Sequence, residues 1–222
     1  MNSSRSGVNR RTQRAPRRLD STGISNGVAH IAALHPVFHA QVERHGMPPL
    51  WGRTPGFETL LRIILEQQVS LASANALRRR LLEALGSLSA QTIAAAGEEA
   101  LRGRGVTRQK AGYCVGLARA VLEGQVDLAA IARASDDEAR AMLVGIRGIG
   151  PWSAEIYQLM ALRRPDIWPT GDLALLIALQ ELHGLGERPD NTHAAELTAP
   201  WAPYRSVGAR LLWQAYLNRG TR

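Results

Sequence analysis

The chain has 222 residues, 45% of them hydrophobic, enough for one large folded unit or two small ones. Its formal charge of +8 points to an anionic partner, and its single cysteine, Cys114, excludes an intrachain disulfide and any four-cysteine zinc or iron–sulfur site, as expected in a reducing cytoplasm. No apolar run approaches the ~20 residues of a membrane span, and no continuous apolar region follows the arginine-rich start as a signal peptide would require.

Residues 1–26 are rich in Ser, Arg, Gly and Asn without a period, and are expected to form a disordered basic tail. Arg5, Arg10, Arg11, Arg14, Arg17 and Arg18 stand there against Asp20 alone. Such a tail could grip phosphates without sequence preference or serve as a solubilising leader. An apolar pattern at helical spacing then runs from Val28 to Arg44, interrupted by Pro36, and Gly46-Met47-Pro48-Pro49 ends it. Pro49-Leu50-Trp51 reads as a packed connector. Leu60, Leu61, Ile64, Leu65, Val69, Ala72, Ala76 and Leu81 predict one long helix over Gly56 to Leu85. Shorter helices follow at Ser89–Ala95, Gly97–Arg102, Arg108–Leu122 and Leu128–Ala134. Ser135-Asp136-Asp137-Glu138 is a capping-box-like start for Asp137–Val144. Trp152–Leu162, Asp172–Leu182, Thr192–Leu197 and Ser206–Asn218 complete the series. No segment alternates at strand spacing, so the fold class is all-α. The expected arrangement is a domain over residues 27–222 with two helical subdomains, about 50–135 and 27–49 plus 136–222, flanking a cleft.

The stretch Ile146 to Ala154 reads as a tight hairpin between two helices. Gly148 and Gly150 flank Ile149; glycine permits positive φ and bares backbone N–H groups, while Ile149 would point inward. Pro151 suits the first turn of the next helix, whose positive end would face an anion. A packing corner would explain a lone Gly-x-Gly, but the longer pattern Gly-Ile-Arg-Gly-Ile-Gly followed by Trp-Ser-Ala favours a phosphate seat that positions DNA without reading bases. Its carbonyls could also hold a monovalent cation. Gly148, Ile149, Gly150 and Ser153 are the candidate DNA-binding residues here.

Leu143–Ala154, with Asp172 in Pro-Thr-Gly-Asp-Leu about twenty residues on, resembles the helix-hairpin-helix motif and catalytic aspartate of the DNA glycosylase superfamily. Ile64-Leu65-Glu66-Gln67-Gln68-Val69-Ser70 is similar to a segment of bacterial 3-methyladenine DNA glycosylase II, as is Trp201-Ala202-Pro203-Tyr204-Arg205-Ser206 followed by Leu211-Leu212-Trp213. The resemblance covers roughly residues 30–219. It implies the short form of that family, without the β-rich N-terminal domain of the larger members.

The resemblance implies that Asp172 stabilises an oxocarbenium-like sugar and guides water to C1′. Its lyase-active branch carries a lysine two residues after the last hairpin glycine; Trp152 stands there, and the only lysine, Lys110, lies on another helix. A monofunctional hydrolase is therefore expected. A flipped base would enter a pocket of Trp152, Trp213 and Tyr157, where aromatic faces favour a cationic alkylated purine. Ile156 occupies the place at which the large bacterial enzyme has a tyrosine. Gln68 aligns with the residue that fills the vacated stack, and Gln67 braces its loop.

His35 and His39 have metal-compatible spacing but no third ligand nearby, so no metal site is expected. Arg78-Arg79-Arg80 reads as a solvated helix face, and Cys114 as a small core residue. The chain is expected to work as a monomer on damaged double-stranded DNA, in the bacterial nucleoid and away from membranes, with no cofactor beyond the candidate cation. Two alternatives remain at this point: a glycosylase for deaminated or oxidised bases, and a non-enzymatic hairpin module that binds DNA.

Overall fold

A computed structural model describes residues 18–219, which contain twelve α-helices, one 3-10 turn and no strand. The helices are α1 (Ser21–Leu34), α2 (Val37–His45), α3 (Phe57–Glu66), α4 (Leu71–Leu85), α5 (Ala90–Arg102) and α6 (Arg108–Leu122). They continue with α7 (Leu128–Arg133), α8 (Asp136–Val144), α9 (Pro151–Met160), α10 (Leu173–His183), α11 (Asn191–Thr198) and α12 (Arg205–Leu217). The Ser135–Glu138 capping box forms, and α5 kinks at Gly97, where two short helices are expected.

The apolar residues gather into two cores. The first holds Leu60, Ile64, Ile93, Val115, Leu143 and Tyr157; the second holds Ile31, Phe38, Leu175, Leu179, Trp201 and Leu211. Helix α9 straddles them, giving Ala154 and Ile156 to the first and Leu159 to the second. Met160 and Trp213 pack against both. Helix α3 is buried almost all round, from Leu60 to Leu65. Each such Leu or Ile side chain removed from water contributes roughly 1.5–3 kcal/mol, which outweighs the modest propensity of a ten-residue helix.

Two sequence expectations change here. The tail does not extend to residue 26: α1 starts at Ser21, with Asp20 as its N-cap accepting from the Gly23 amide at 2.7 Å, and Leu19 is already buried. Residues 1–17 lie outside the described residues. The early helix is hidden because Gly23 and Gly27 occupy its buried face. A Cβ on Gly27 would sit 2.6 Å from Val207 Cγ2, so glycine lets α1 lie against α12. Second, the long helix over 56–85 is broken. Val69 and Ala72, which continue its apolar period, are exposed. Ser70 caps α4 by accepting from the Ser73 amide, and Gln68 takes φ +55. The elbow between α3 and α4 projects Gln68, Val69 and Leu71 into solvent.

Among the described residues, no helix is long and apolar enough to cross a membrane.

Candidate active site

Asp172 is the N-cap of α10. Its Oδ1 accepts from the Leu175 amide at 3.1 Å, as a cap requires, and from Trp213 Nε1–H at 3.3 Å. Its Oδ2 accepts from Trp152 Nε1–H at 3.0 Å. Two indoles from different helices and one main-chain amide therefore aim a single carboxylate at the junction of the two cores. The turn before it contributes as well. Gly171 sits at φ +77 where a type II turn favours glycine, and the Asp172 amide reaches Pro169 O at 3.4 Å.

That turn is pinned by a residue absent from the sequence expectations. Glu155, 5% exposed on α9, accepts from the Thr170 amide at 2.7 Å and from Arg140 Nε at 3.0 Å. A buried carboxylate is tolerable only with such partners. An acid inside the apolar run Ala154–Leu159 was the available signal.

Of the three expected pocket aromatics, the structure brings Trp152 and Trp213 to Asp172, both half-buried, but not Tyr157. Tyr157 is fully buried in the first core, and its hydroxyl accepts from the Gly56 amide at 3.0 Å. On α9 it faces away from Trp152, and burial pushes its phenol above the usual range. Another aromatic, Trp51, meets the Trp213 ring edge-on at 6.2 Å between centroids. Trp51 takes φ +44, and its neighbour Leu50 is held by the buried Arg210, which donates to Leu50 O, Ser206 O and Leu159 O. The Pro49-Leu50-Trp51 connector thus packs through Trp51 against one of the two indoles that bond Asp172.

The hairpin between α8 and α9 forms as its glycines suggest. Ile149 is 3% exposed, and its amide closes the turn on Ile146 O at 3.0 Å. Gly148 takes φ +91 against the Tyr113 ring, leaving no room for a side chain. Gly150 does not need the left-handed region: its φ is −87, and open space lies where its Cβ would stand. Among the described residues no side chain caps α9, so the first-turn amides after Pro151 point outward with the positive helix end. The Ser153 hydroxyl is buried and accepts from Gln67 Nε2 at 3.0 Å. Gly148 O also accepts from Gln67 Nε2, at 2.8 Å.

Gln67 thereby ties the α3–α4 elbow to the hairpin, while Gln68 beside it is exposed. Its left-handed backbone costs about 1–2 kcal/mol for a non-glycine residue. Elbow, hairpin and the start of α6 together line a cleft of about 820 Å³ that includes Gln68, Arg108, Lys110 and Arg147. Lys110 Nζ is engaged there by Leu65 O and Gln67 O, and burial pushes its ammonium below the ordinary lysine range, with Cys114 working weakly the other way. Cys114 itself is buried and pushed up to about 12. Among the described residues no group of three or more His, Cys, Asp or Glu could hold a metal ion. His35 instead accepts from Trp201 Nε1–H.

Comparison with known proteins points to one family. The family model described as HhH-GPD superfamily base excision DNA repair protein matches residues 61–203. The chain is 28% identical over 170 residues to a DNA-3-methyladenine glycosylase of Bacillus subtilis, covering 71% of this chain and 56% of that protein. It is 28% identical over 162 residues to DNA-3-methyladenine glycosylase 1 of Schizosaccharomyces pombe, covering 71% of each. It spans 63% and 56% of the lengths of two Bacillus subtilis relatives. Among solved structures, the DNA-3-methyladenine glycosidase from Bacillus halodurans superposes with a TM-score of 0.74 at 28% identity, covering 88% of this chain and 91% of that one.

Proposed function

We propose that this chain, which belongs to the HhH-GPD superfamily of base excision DNA repair proteins, is a monofunctional DNA glycosylase that hydrolyses the N-glycosidic bond of alkylated purines such as 3-methyladenine. The observation that carries the reading is the Asp172 carboxylate, gripped by the Trp152 and Trp213 indoles beside the hairpin.

In this reading the hairpin amides and the positive end of α9 hold one DNA phosphate, and the elbow enters the duplex with Gln68. The damaged base swings out against Trp152, Trp213 and Trp51. Their π-faces favour a cationic ring by about 0.5–2 kcal/mol each. The C1′–N bond breaks with its electron pair passing to the base, which departs neutral if it was cationic. Positive charge develops on the sugar, where Asp172 stabilises it. Water adds at C1′ and loses a proton, leaving an abasic site. Three N–H donors already orient the carboxylate, so it need not reorganise as the charge forms. No step needs a cofactor. The candidate cation would share hairpin carbonyls that already accept from Gln67 and Ile149, and no step runs through it.

Trp152 occupies the place of the nucleophilic lysine, and the chain's one lysine is tied to the elbow carbonyls, which supports hydrolysis without strand cleavage. The residues assigned to the site come from both cores, in keeping with two helical halves that embrace one stretch of double-stranded DNA, and a single copy suffices for the chemistry. Such an enzyme acts wherever the chromosome is. The test is release of free base from duplexes carrying 3-methyladenine, a deaminated base or an oxidised base. Release from the alkylated duplex alone is expected. Release from none would sink the reading, and release only from an oxidised or deaminated base would move the substrate class.

A further inference from the structure

The chain uses arginine almost everywhere, yet its single lysine sits under the elbow. Lys110 is the third residue of α6 after the Thr107 cap, a position where a helix dipole disfavours a cation. Its surroundings compensate. Nζ donates to Leu65 O at 2.9 Å and to Gln67 O at 2.6 Å. Leu65 O belongs to the last turn of α3, which lacks intrahelical donors, and Gln67 is the residue capping that helix. The negative end of α3 thus meets the positive charge that α6 alone would repel.

The grip falls on a junction that needs one. Beyond Gln67 the chain turns through Gln68 in a left-handed conformation that glutamine rarely adopts, and then enters α4. The Gln67 side chain is anchored to Gly148 O and Ser153 Oγ on the hairpin, and its main-chain carbonyl is anchored to Lys110. Two convergent carbonyls suit a compact tetrahedral ammonium better than a flat guanidinium fork.

We propose that Lys110 is a positioning residue for base flipping: it locks the α3–α4 elbow in its left-handed form, so that Gln68 stands at a fixed offset from the phosphate seat and can fill the stack when a base leaves. This rests on the glycosylase reading above. Lys110 takes no part in bond breaking. Its effect should therefore depend on whether the lesion must be pulled out of a base pair.

The test uses the full chain on two duplexes with the same alkylated purine, one normally paired and one with the lesion opposite an abasic site, where flipping is nearly free. Lys110→Met should lower the ratio of kcat/KM on the paired duplex to that on the unpaired one by roughly tenfold, the order expected when charged hydrogen bonds are lost. Gln68→Ala should lower the same ratio. Lys110→Arg keeps the charge and guards against a variant that fails to fold; it should lower the ratio by less. A 2-aminopurine beside the lesion should unstack less on binding either Lys110 variant. An unchanged ratio in both Lys110 variants, whether activity falls equally on the two duplexes or not at all, overturns the proposal. Asp172→Asn run in parallel separates the two ideas: wild-type base release from that variant refutes the hydrolysis reading and leaves the elbow measurement to stand or fall by its ratio.

Discussion

Asp172→Asn changes one oxygen for an NH2 group and nearly nothing in shape. The amide oxygen can keep the positions of the Leu175 and Trp213 donors, and asparagine caps a helix about as well as aspartate. The amide nitrogen then faces Trp152 Nε1–H, formerly bonded to Oδ2, so one indole loses its acceptor at a cost of about 1–3 kcal/mol. Stability should fall by no more than that. Catalysis should fall much further. A full negative charge about 4 Å from a positive sugar, at an effective dielectric near 20, is worth about 4 kcal/mol. At ~1.4 kcal/mol per decade, kcat should drop on the order of a thousandfold. The assay is single-turnover release of 3-methyladenine from a duplex, with binding to abasic DNA measured alongside. Unchanged binding with near-complete loss of release is expected. Release within about tenfold of wild type would refute the role of the charge, because lost geometry alone accounts for that much.

Other outcomes follow from the same geometry. Trp152→Phe keeps a ring but removes the donor to Oδ2, so kcat should fall roughly tenfold in the same release assay with the melting temperature little changed. Gly148→Ala forces a Cβ into the Tyr113 ring at φ +91, where strain alone is about 1–3 kcal/mol; DNA affinity, read by fluorescence anisotropy, should weaken more than kcat. Burial holds His35 and His183 below the ordinary histidine range, with His183 acting on His35 and His193 on His183. The unfolded chain therefore takes up protons as pH drops past about 6.5 while the native imidazoles stay neutral, so stability is kept above that pH and falls below it. Melting temperatures from about pH 7.5 to about pH 5 should show this fall, and His35→Gln should lessen it.

The sequence was informative wherever one residue type has one use. Gly148 at the hairpin, the Ser135 capping box and the period of α6 are local signals, and each forms as read. Asp172, Trp152 and Trp213 lie together, but the indole–carboxylate bonds that join them have no local signature. The misses share a cause. The α3–α4 break is decided by a left-handed glutamine and a serine cap inside an unbroken apolar period, and α1 begins early because glycines face its neighbour. Tyr157 turns into the first core rather than toward Asp172 because the side of α9 that each core takes depends on how the two share that helix. Glu155, Lys110 and Arg210 each reach a partner 15, 43 and 160 positions away respectively, beyond the span of a local sequence pattern.

Helix α9 starts at the hairpin, passes Trp152 and Glu155, and ends in the second core. At ~1.5 Å per residue it is a gauge about 15 Å long. Its first turn carries Trp152, which bonds Asp172, and its second carries Glu155, which bonds the turn before Asp172. Inserting one residue in this helix would swing everything beyond it by about 100°, parting Glu155 from the turn that it steadies. The spacing between the hairpin and the Asp172 carboxylate is therefore set by a single rigid element, and length variation in this chain should collect in its loops instead.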